Sequence, residues 1–345
     1  MNIILALVIF SIIILFHELG HFLLAKHNDV RVNEFCLGLG PTIVGFTKGE
    51  TKYSLKLLPF GGACMMEGED EASDDDRGFN NKSVLQRASI VAAGPIFNFI
   101  MAMVFSFILV ASVGFDRAVL TGIVDGYPAQ EAGLKAGDEI VKLGNKTIHL
   151  YREVAFYTYF HTSEEAVEVT YKRDGEKYKT VLTPKYDEES GRYLFGFYGT
   201  TARSKGTLAE TFQYSMYEVK YWICTTIETL GQLFTGHVGI NEMSGPVGIV
   251  KTIGDTYTEV KSGGMFMVFL NMLNICILLS ANLGIMNLLP IPALDGGRLV
   301  FLIVEAVRGK RMDPNKEGAV NLVFLMLLMA LMVVIMFNDI RKIVM

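Results

Sequence analysis

The sequence predicts a polytopic α-helical membrane protein that is interrupted by one water-exposed domain of mixed helix and strand. Of the 345 residues 51% are hydrophobic and only 19% are charged, and the mean hydropathy is +0.35. The apolar residues are concentrated in four runs, each long enough to cross a bilayer as a helix. Residues 115–200 differ from these runs, since they combine charges, short β-like runs and turns.

The four predicted membrane helices cover residues 3–26, 88–113, 265–289 and 320–338. The first run is longer than the apolar part of a signal peptide, follows no basic segment and precedes no small-residue cleavage site. We therefore expect it to remain attached as a membrane helix.

A metal-site pattern interrupts the first run: His17 and Glu18 are followed by His21. Residues four apart share one face of a helix, so both imidazoles can address one ion. Two imidazoles and a carboxylate from elsewhere would leave the fourth position of zinc for water, and Glu18 would be the general base. Ionisable groups at this depth cost about 2.5–3.5 kcal/mol each on insertion scales, so unpaired ones are rarely kept.

Basic residues in the short loops predict the orientation. Residues 26–87 and the loop that follows the third run are rich in Lys and Arg, which places both loops in the cytoplasm. The N-terminus and residues 114–264 are then outside. At about 1.5 Å per residue, His17 lies roughly 21 Å along the helix from Ile3, nearer the cytoplasmic face of the bilayer.

A β-hairpin is predicted within residues 30–66, which are apolar but broken by glycines. Tyr53, Leu55 and Leu57 alternate with polar residues, and the turn lies at residues 48–50. The hairpin could be an ordinary cytoplasmic one. Alternatively, it is a membrane-associated sheet whose edge strand, residues 51–57, binds an extended peptide, with those three residues as substrate contacts.

An acidic segment follows the hairpin, and a pair of residues with helical spacing lies near the start of the second membrane helix. The acidic residues of 67–82 lack the ligand spacing of an EF-hand, so a solvated loop is expected. Gly94 and Asn98 are four apart in the second run, which puts a small residue and an amide on one helix face. They serve either ordinary packing or contact with the metal helix.

The third run ends at a segment that carries Asn287, Pro290, Pro292 and Asp295. The prolines enforce extended backbone, and irregular backbone at membrane depth persists only inside protein or beside a cavity. Asp295 arrives near the cytoplasmic boundary, the depth inferred for the two histidines. It is the candidate third metal ligand, although Asp-Gly is also a common turn pair.

Residues 127–141, within the domain at 115–200, resemble the helix-and-turn signature of PDZ domains. A PDZ fold binds peptide ends by strand addition. The segment 205–262 follows it as an amphipathic linker helix and a connector. Apolar residues recur at helical spacing in 207–234, and we expect this helix to lie on the outer membrane surface.

With its His-Glu-x-x-His helix, its Asn-x-x-Pro-x-Pro-x-Leu-Asp-Gly-Gly segment and a PDZ domain between them, the chain resembles the site-2 protease family of intramembrane zinc metalloproteases. It is most similar to the bacterial regulator-of-sigma-E protease type, but has one PDZ domain instead of two. Residues 1–113 and 263–345 would be the two halves of the protease core. The resemblance implies one Zn²⁺ per chain, held by His17, His21 and Asp295, with Glu18 as base and Asn287 on the substrate backbone.

The resemblance also implies the substrates and the location. Such enzymes cut single-span membrane proteins within the lipid bilayer, either anti-sigma factors after a first external cut or signal-peptide remnants. The protein would lie in the bacterial cytoplasmic membrane, with the N-terminus and the PDZ domain extracytoplasmic and the active site near the cytoplasmic side.

Two other functions remain open at this point. A non-catalytic PDZ-containing receptor or scaffold would not need Glu18 beside the two histidines. A metal transporter would place ligands at several depths, whereas here they converge at one. The net charge of −5 and the dispersed basic residues predict no nucleic-acid partner, and the four cysteines, which form no C-x-x-C pair, are expected to be free thiols.

Overall fold

The structure, a computed structural model, describes residues 2–69, 73–160, 163–200, 202–236, 239, 243–311 and 313–344. Its helices are α1 (Asn2–His27), α2 (Val84–Val113), α3 (Pro128–Glu131), α4 (Tyr151–Phe160), α5 (Leu208–Phe234), α6 (Pro246–Val260), α7 (Met265–Leu288), α8 (Asp295–Arg308) and α9 (Pro314–Val344). Its strands are β1 (Val32–Lys48), β2 (Thr51–Met66), β3 (Leu120–Ile123), β4 (Glu139–Leu143), β5 (Lys146–Thr147), β6 (Val167–Arg173), β7 (Glu176–Leu182), β8 (Lys185–Asp187), β9 (Arg192–Leu194) and β10 (Phe197–Gly199).

Four of these helices, α1, α2, α7 and α9, are long and apolar enough to cross a membrane. They confirm the four predicted membrane helices. The structure extends α9 beyond the predicted 320–338 at both ends, because charged residues such as Glu317 and Arg341 end the apolar run without ending the helix. All four cysteines are free, as expected.

The two long strands β1 and β2 form an antiparallel hairpin that folds back on itself. Residues 32–37 of β1 pair with residues 62–66 of β2 and also with residues 52–55 of β2, and residues 42–48 pair with 51–56 on the far side. Gly38 makes the bend possible, since its φ of +91° favours glycine. The result is a four-segment sheet with 62–66 at one edge and 42–48 at the other.

Large apolar side chains cover the far end of this hairpin and are exposed: Leu39, Ile43, Val44, Phe46, Leu55, Leu57 and Leu58. At the turn, the Glu50 carboxylate accepts hydrogen bonds from Arg77 and Lys26. These two cations hold the pKa of Glu50 at about 2. The turn is therefore anchored to the end of α1 and to the loop before α2. Asp70 and Glu71 of the predicted acidic loop lie outside the described residues.

Two helices lie where the sequence predicted none. The first is α6, in the connector, and its N-terminus is held by Asp339 of α9. Asp339 is 2% exposed and accepts the backbone N–H groups of Gly245 at 3.1 Å and Gly248 at 2.7 Å. Ile253 of α6 is fully buried in a cluster with residues of α1, α2 and α7.

The second unexpected helix is α8, which begins at Asp295 itself. The chain leaves α7 with Leu289 in extended conformation and passes Pro290 and Pro292 before it turns into α8. Gly296 permits this tight return, because a Cβ there would lie 2.2 Å from the carbonyl oxygen of Leu289. Asp295 is thus fixed directly beside the end of α7.

The chain divides into two units, residues 1–105 with 222–345, and residues 106–221. The second unit contains a four-stranded sheet in the order β5-β4-β6-β7 and the two-stranded sheets β10-β3 and β8-β9. Its core includes Leu120, Ile140, Leu143, Val169 and Leu182, all at most 1% exposed. In the same unit, the buried carboxylate of Glu218 in α5 accepts two hydrogen bonds from Arg152 of α4, at 2.8 and 2.9 Å.

Candidate metal centre

Three potential ligands converge at one point of the first unit. The Nε2 atoms of His17 and His21 lie 3.2 Å apart. Asp295 Oδ2 lies 3.2 Å from the first of these nitrogens and 3.6 Å from the second. Among the described residues, these three side chains form a group that could hold a metal ion, because their ligand atoms all lie within 4.8 Å of one another.

The spacing fits a tetrahedral ion. Ligand atoms at about 2.0–2.2 Å from zinc stand about 3.3–3.6 Å apart at the edges of a tetrahedron. Apart from these two imidazole nitrogens, Asp295 Oδ2 is buried without a hydrogen-bond partner in the described part of the chain. A buried acceptor of this kind requires a donor or a cation, so the side chains present suit a divalent metal with N/O preference.

Glu18 lies in the same cavity, which has a volume of about 560 Å³ and is also lined by His17, His21 and Asp295. Its carboxylate accepts a hydrogen bond from the backbone N–H of Cys64 in β2. The cavity wall opposite the histidines is formed by residues 62–66 of β2. Glu18 therefore stands between the three potential ligands and the edge of the sheet.

Gly94 of α2 lies against both histidine rings. A Cβ at this position would lie 2.3 Å from His21 Nε2 and 2.7 Å from His17 Cε1. Helices α1 and α2 also approach closely at Gly20, where a Cβ would lie 2.4 Å from the carbonyl oxygen of Ala93. The small residue anticipated at 94 therefore serves the candidate metal centre directly.

The Nδ1 atoms of both rings face α2. Nδ1 of His21 lies 2.9 Å from the carbonyl oxygen of Ile90, and Nδ1 of His17 lies 3.2 Å from Nδ2 of Asn98. Asn98 is fully buried. Since ligand histidines generally have such a second partner, α2 supplies the outer support of the site.

Asn287 also reaches the site, with its Nδ2 3.4 Å from His17 Nε2. Pro290 and Pro292 interrupt the helix between Asn287 and Asp295. The segment after them is held by the N–H of Ala293, which donates to Asn321 Oδ1 of α9 at 3.1 Å.

The structure corrects the prediction that residues 51–57 form an edge strand. Tyr53 pairs with both Phe35 and Phe46, and Leu55 pairs with both Leu37 and Val44, so the main chain there is occupied on both sides. Neither these residues nor Leu57 line the cavity at the metal centre. Alternation of polar and apolar residues along 52–57 indicated a strand but not its position in the sheet. That position depends on β1 folding back on itself, and the alternation of side chains does not reveal such a bend.

The edge beside the candidate metal centre is residues 62–66. They pair with residues 32–37 on one side and face Glu18 on the other, where the Cβ of a residue at Gly62 would lie 3.2 Å from Glu18 Cγ. Sequence reasoning missed this segment and the carbonyl of Ile90. The glycine pair at 61 and 62 was the available signal, since glycine in a strand marks a bend or a close approach.

The model for peptidase family M50 matches residues 5–331 of this chain. A protein from Clostridium acetobutylicum that is named as a zinc metalloprotease is 40% identical over 98% of this chain and 97% of its own length. The zinc metalloprotease RasP of Geobacillus kaustophilus is 30% identical, with 97% of each chain covered. The regulator of sigma-W protease RasP of Bacillus subtilis is 29% identical, again with 97% of each covered.

Among solved structures, the PDZ domain of the SdrC-like protein from Listeria monocytogenes resembles a part of the chain. That likeness covers 25% of this chain and 88% of the domain, at 20% identity and a TM-score of 0.22.

Proposed function

This chain belongs to peptidase family M50 and is a zinc metalloprotease of the membrane, and we propose from that premise that it hydrolyses peptide bonds inside membrane-spanning segments. In this proposal His17, His21 and Asp295 hold one zinc ion per chain. Glu18 is the general base. The observation that carries the assignment is the convergence of three ligand atoms from α1 and α8, at 3.2–3.6 Å from one another.

Zinc held by these residues would lower the pKa of a water molecule and would polarise the carbonyl group of the scissile peptide bond. Glu18 takes the proton from the water and returns it to the leaving amine. The backbone N–H of Cys64 holds the Glu18 carboxylate toward the cavity. Asn287, whose amide nitrogen lies 3.4 Å from His17 Nε2, donates a hydrogen bond to the substrate backbone.

The substrate binds as an extended strand along residues 62–66. A helical peptide bond is shielded by its own hydrogen bonds, so the scissile segment has to unwind before attack. In lipid the freed N–H and C=O groups need new partners, and an edge strand supplies them. The edge at 62–66, which pairs with no other described strand than residues 32–37, lies beside Glu18 and is positioned for this role.

The substrate class follows from the membrane location. A single-span protein can present its helix to such a cleft, and the name of the Bacillus subtilis relative connects that protein with sigma-W. We propose a single-span anti-sigma factor, trimmed outside by another protease, with signal-peptide remnants as the second candidate. The protein is placed in the bacterial cytoplasmic membrane, with the site toward the cytoplasm.

Residues 115–200, which lie in the unit at 106–221, are proposed to form an extracytoplasmic PDZ domain that excludes untrimmed substrates rather than capturing trimmed ones. Strand addition would need the second edge of β10, which pairs with β3 on its first edge. Tyr151 of α4 packs against β10: a Cβ at Gly199 would lie 2.1 Å from a carbon of its ring, and its phenol is hydrogen-bonded to the Gly199 backbone. A peptide that adds to β10 would have to compete with this tyrosine, which favours exclusion over capture.

Deletion of residues 115–200 separates these two roles. Exclusion predicts that untrimmed substrates become cleavable. Slower cutting of trimmed substrates, with untrimmed ones still refused, would favour capture.

The test of the proposed activity is cleavage of a single-span substrate by the purified protein beside its Glu18→Gln variant. Glu18→Gln should keep one zinc per chain and lose cleavage, because the amide cannot accept the proton. Glu259→Gln, at an exposed position of α6, is the matched control and should cleave normally. Full turnover by Glu18→Gln would remove this residue from the mechanism.

The same preparation tests the other two functions. A receptor would bind the substrate and leave it intact in all variants. A transporter would carry zinc into sealed vesicles, and that flux would persist in Glu18→Gln.

A further inference from the structure

Asn98 is a buried amide of the membrane interior whose side chain has one partner in the described structure. Its Nδ2 lies 3.2 Å from Nδ1 of His17, while its Oδ1 is buried without a hydrogen-bond partner. Its main-chain oxygen accepts a hydrogen bond from the Ser280 hydroxyl of α7 at 2.7 Å. The residue is therefore held firmly by its backbone, and its amide faces the ring of His17.

The proton position on each histidine depends on its second partner. At His21, Nδ1 faces the carbonyl oxygen of Ile90, which can only accept, so Nδ1 carries the proton and Nε2 presents its lone pair. At His17, amide nitrogens face both ring nitrogens, Asn98 Nδ2 at 3.2 Å from Nδ1 and Asn287 Nδ2 at 3.4 Å from Nε2; the nearer contact, with Asn98, suits the opposite tautomer. That tautomer has its proton on Nε2, which lies 3.2 Å from Asp295 Oδ2.

A metal on Nε2 of His17 requires the proton on Nδ1, and Nδ1 then needs an acceptor. The two ends of the Asn98 amide occupy almost the same space, so a half turn about the Cβ–Cγ bond exchanges them. This turn would replace two facing donors with an N–H···O hydrogen bond. It would also give a partner to the buried Oδ1, and a buried acceptor without one is destabilising.

We propose, resting on the zinc site of the proposed function, that Asn98 is a positioning residue whose amide turns over with the tautomer of His17. Its Nδ2 donates to Nδ1 when the proton is on Nε2, and its Oδ1 accepts the Nδ1–H when Nε2 binds zinc. A carboxylate could serve only the second of these states, and an apolar side chain could serve neither.

The test is the zinc affinity of the full-length protein in detergent, measured by competition with a chromophoric chelator and without substrate. Asn98→Leu, which keeps the branching of the side chain and removes both polar ends, should raise the Kd for zinc on the order of 10- to 100-fold. Asn98→Asp, which can only accept, should bind zinc at least as tightly as the unmodified protein. Ser280→Ala removes the hydrogen bond to the main chain of residue 98 and should leave the Kd within about twofold.

The outcomes separate this inference from the zinc assignment. Weakening by Asn98→Asp equal to that by Asn98→Leu would show that the amide donates to His17 in the zinc-bound protein, and an unchanged Kd in Asn98→Leu would show that the contact is only structural. Either result overturns the inference while the unmodified protein still binds one zinc. If Asn98→Leu does not fold, the ratio of Kd for Asn98→Asp to that of the unmodified protein decides. Absence of tight zinc in the unmodified protein, or its retention in His17→Ala, would instead contradict the proposed function.

Discussion

At the scale of single residues, the candidate metal centre depends on a position that carries no side chain. Gly94 lets α2 lie against the imidazoles of His17 and His21, and this contact brings the backbone of Ile90 and the amide of Asn98 to the outer nitrogens of the rings. The ligands are thus oriented by a neighbouring helix and not by their own.

Gly94→Ala should therefore weaken zinc binding without unfolding the protein. The added methyl group would lie 2.3 Å from His21 Nε2, and overpacking of this kind costs about 1–3 kcal/mol, which corresponds to about a 5- to 150-fold rise in the Kd for zinc. Gly318→Ala is the matched control, since a Cβ there meets nothing within 4 Å. Equal zinc affinity in both variants would show that α2 does not constrain the ligands.

The sequence was sufficient to find the candidate ligands and the candidate base, because the chemistry of a metal site restricts residue type and spacing. His17, Glu18 and His21 lie within one helical turn, and Asp295 follows two prolines that end the preceding helix. Their outer partners could not be predicted in the same way. A backbone carbonyl such as that of Ile90 is common to all residue types, and Asn98 reads equally well as a packing residue.

At the scale of elements, the sheet shows why a correct strand can be assigned the wrong place. Alternation around Tyr53 and Leu55 indicated β-structure, and both residues are in β2. The position of a strand within a sheet depends on pairing across the bend at Gly38, which the period of two does not encode. The edge beside Glu18 is consequently residues 62–66.

Cross-linking can distinguish the two segments. In a cysteine-free Glu18→Gln background, Met65→Cys should form a disulfide with a cysteine near the scissile bond of a single-span substrate, whereas Leu57→Cys should not. The two positions are similarly exposed, at 50% and 56%, so accessibility alone does not separate them. Cross-linking at position 57 in preference to 65 would restore the strand that the sequence favoured.

The N-terminus of α6 is expected to depend on Asp339. This side chain accepts the N–H groups of Gly245 and Gly248, and loss of such a cap costs about 0.5–2 kcal/mol. Asp339→Ala should lower the midpoint of thermal unfolding in detergent, and Asp339→Asn, which keeps one acceptor, should lower it less. Asp255→Ala, at an exposed site on α6, is the control, and a midpoint for Asp339→Ala equal to that of the control would contradict the capping role.

The anchored hairpin turn gives a dependence on pH. Contacts with Arg77 and Lys26 lower the pKa of Glu50 to about 2 from a usual value of 4.5. A lowered carboxyl pKa means that the contribution to stability is complete above pH 4.5 and is lost as the pH falls toward 2. The unfolding midpoint of Glu50→Gln should therefore vary less than that of the unmodified protein over this range. Identical pH profiles would show that the turn gains nothing from the charge.

At the scale of the whole molecule, the four membrane helices follow from composition, because a run of apolar residues long enough to span a bilayer has few other uses. The helices α6 and α8 did not follow, since each is short and mixes polar and apolar residues. Their positions are fixed by tertiary contacts, Asp339 for α6 and the return past Gly296 for α8.

The proposed orientation can be tested with a membrane-impermeant thiol reagent on intact cells. In a cysteine-free background, Lys177→Cys should be labelled from outside and Asp76→Cys should be labelled only after the membrane is opened. Both side chains are exposed, so the difference reports the side of the membrane. The reverse pattern would place residues 115–200 in the cytoplasm.

If this zinc metalloprotease cuts within the membrane, the masses of its products will show it. A single-span substrate is reconstituted with the protein in lipid vesicles, and the fragments are identified by mass spectrometry. We expect a single cut inside the membrane-spanning segment of the substrate, and we expect no cut with Glu18→Gln. A cut outside that segment, or the same fragments from Glu18→Gln, would contradict this expectation.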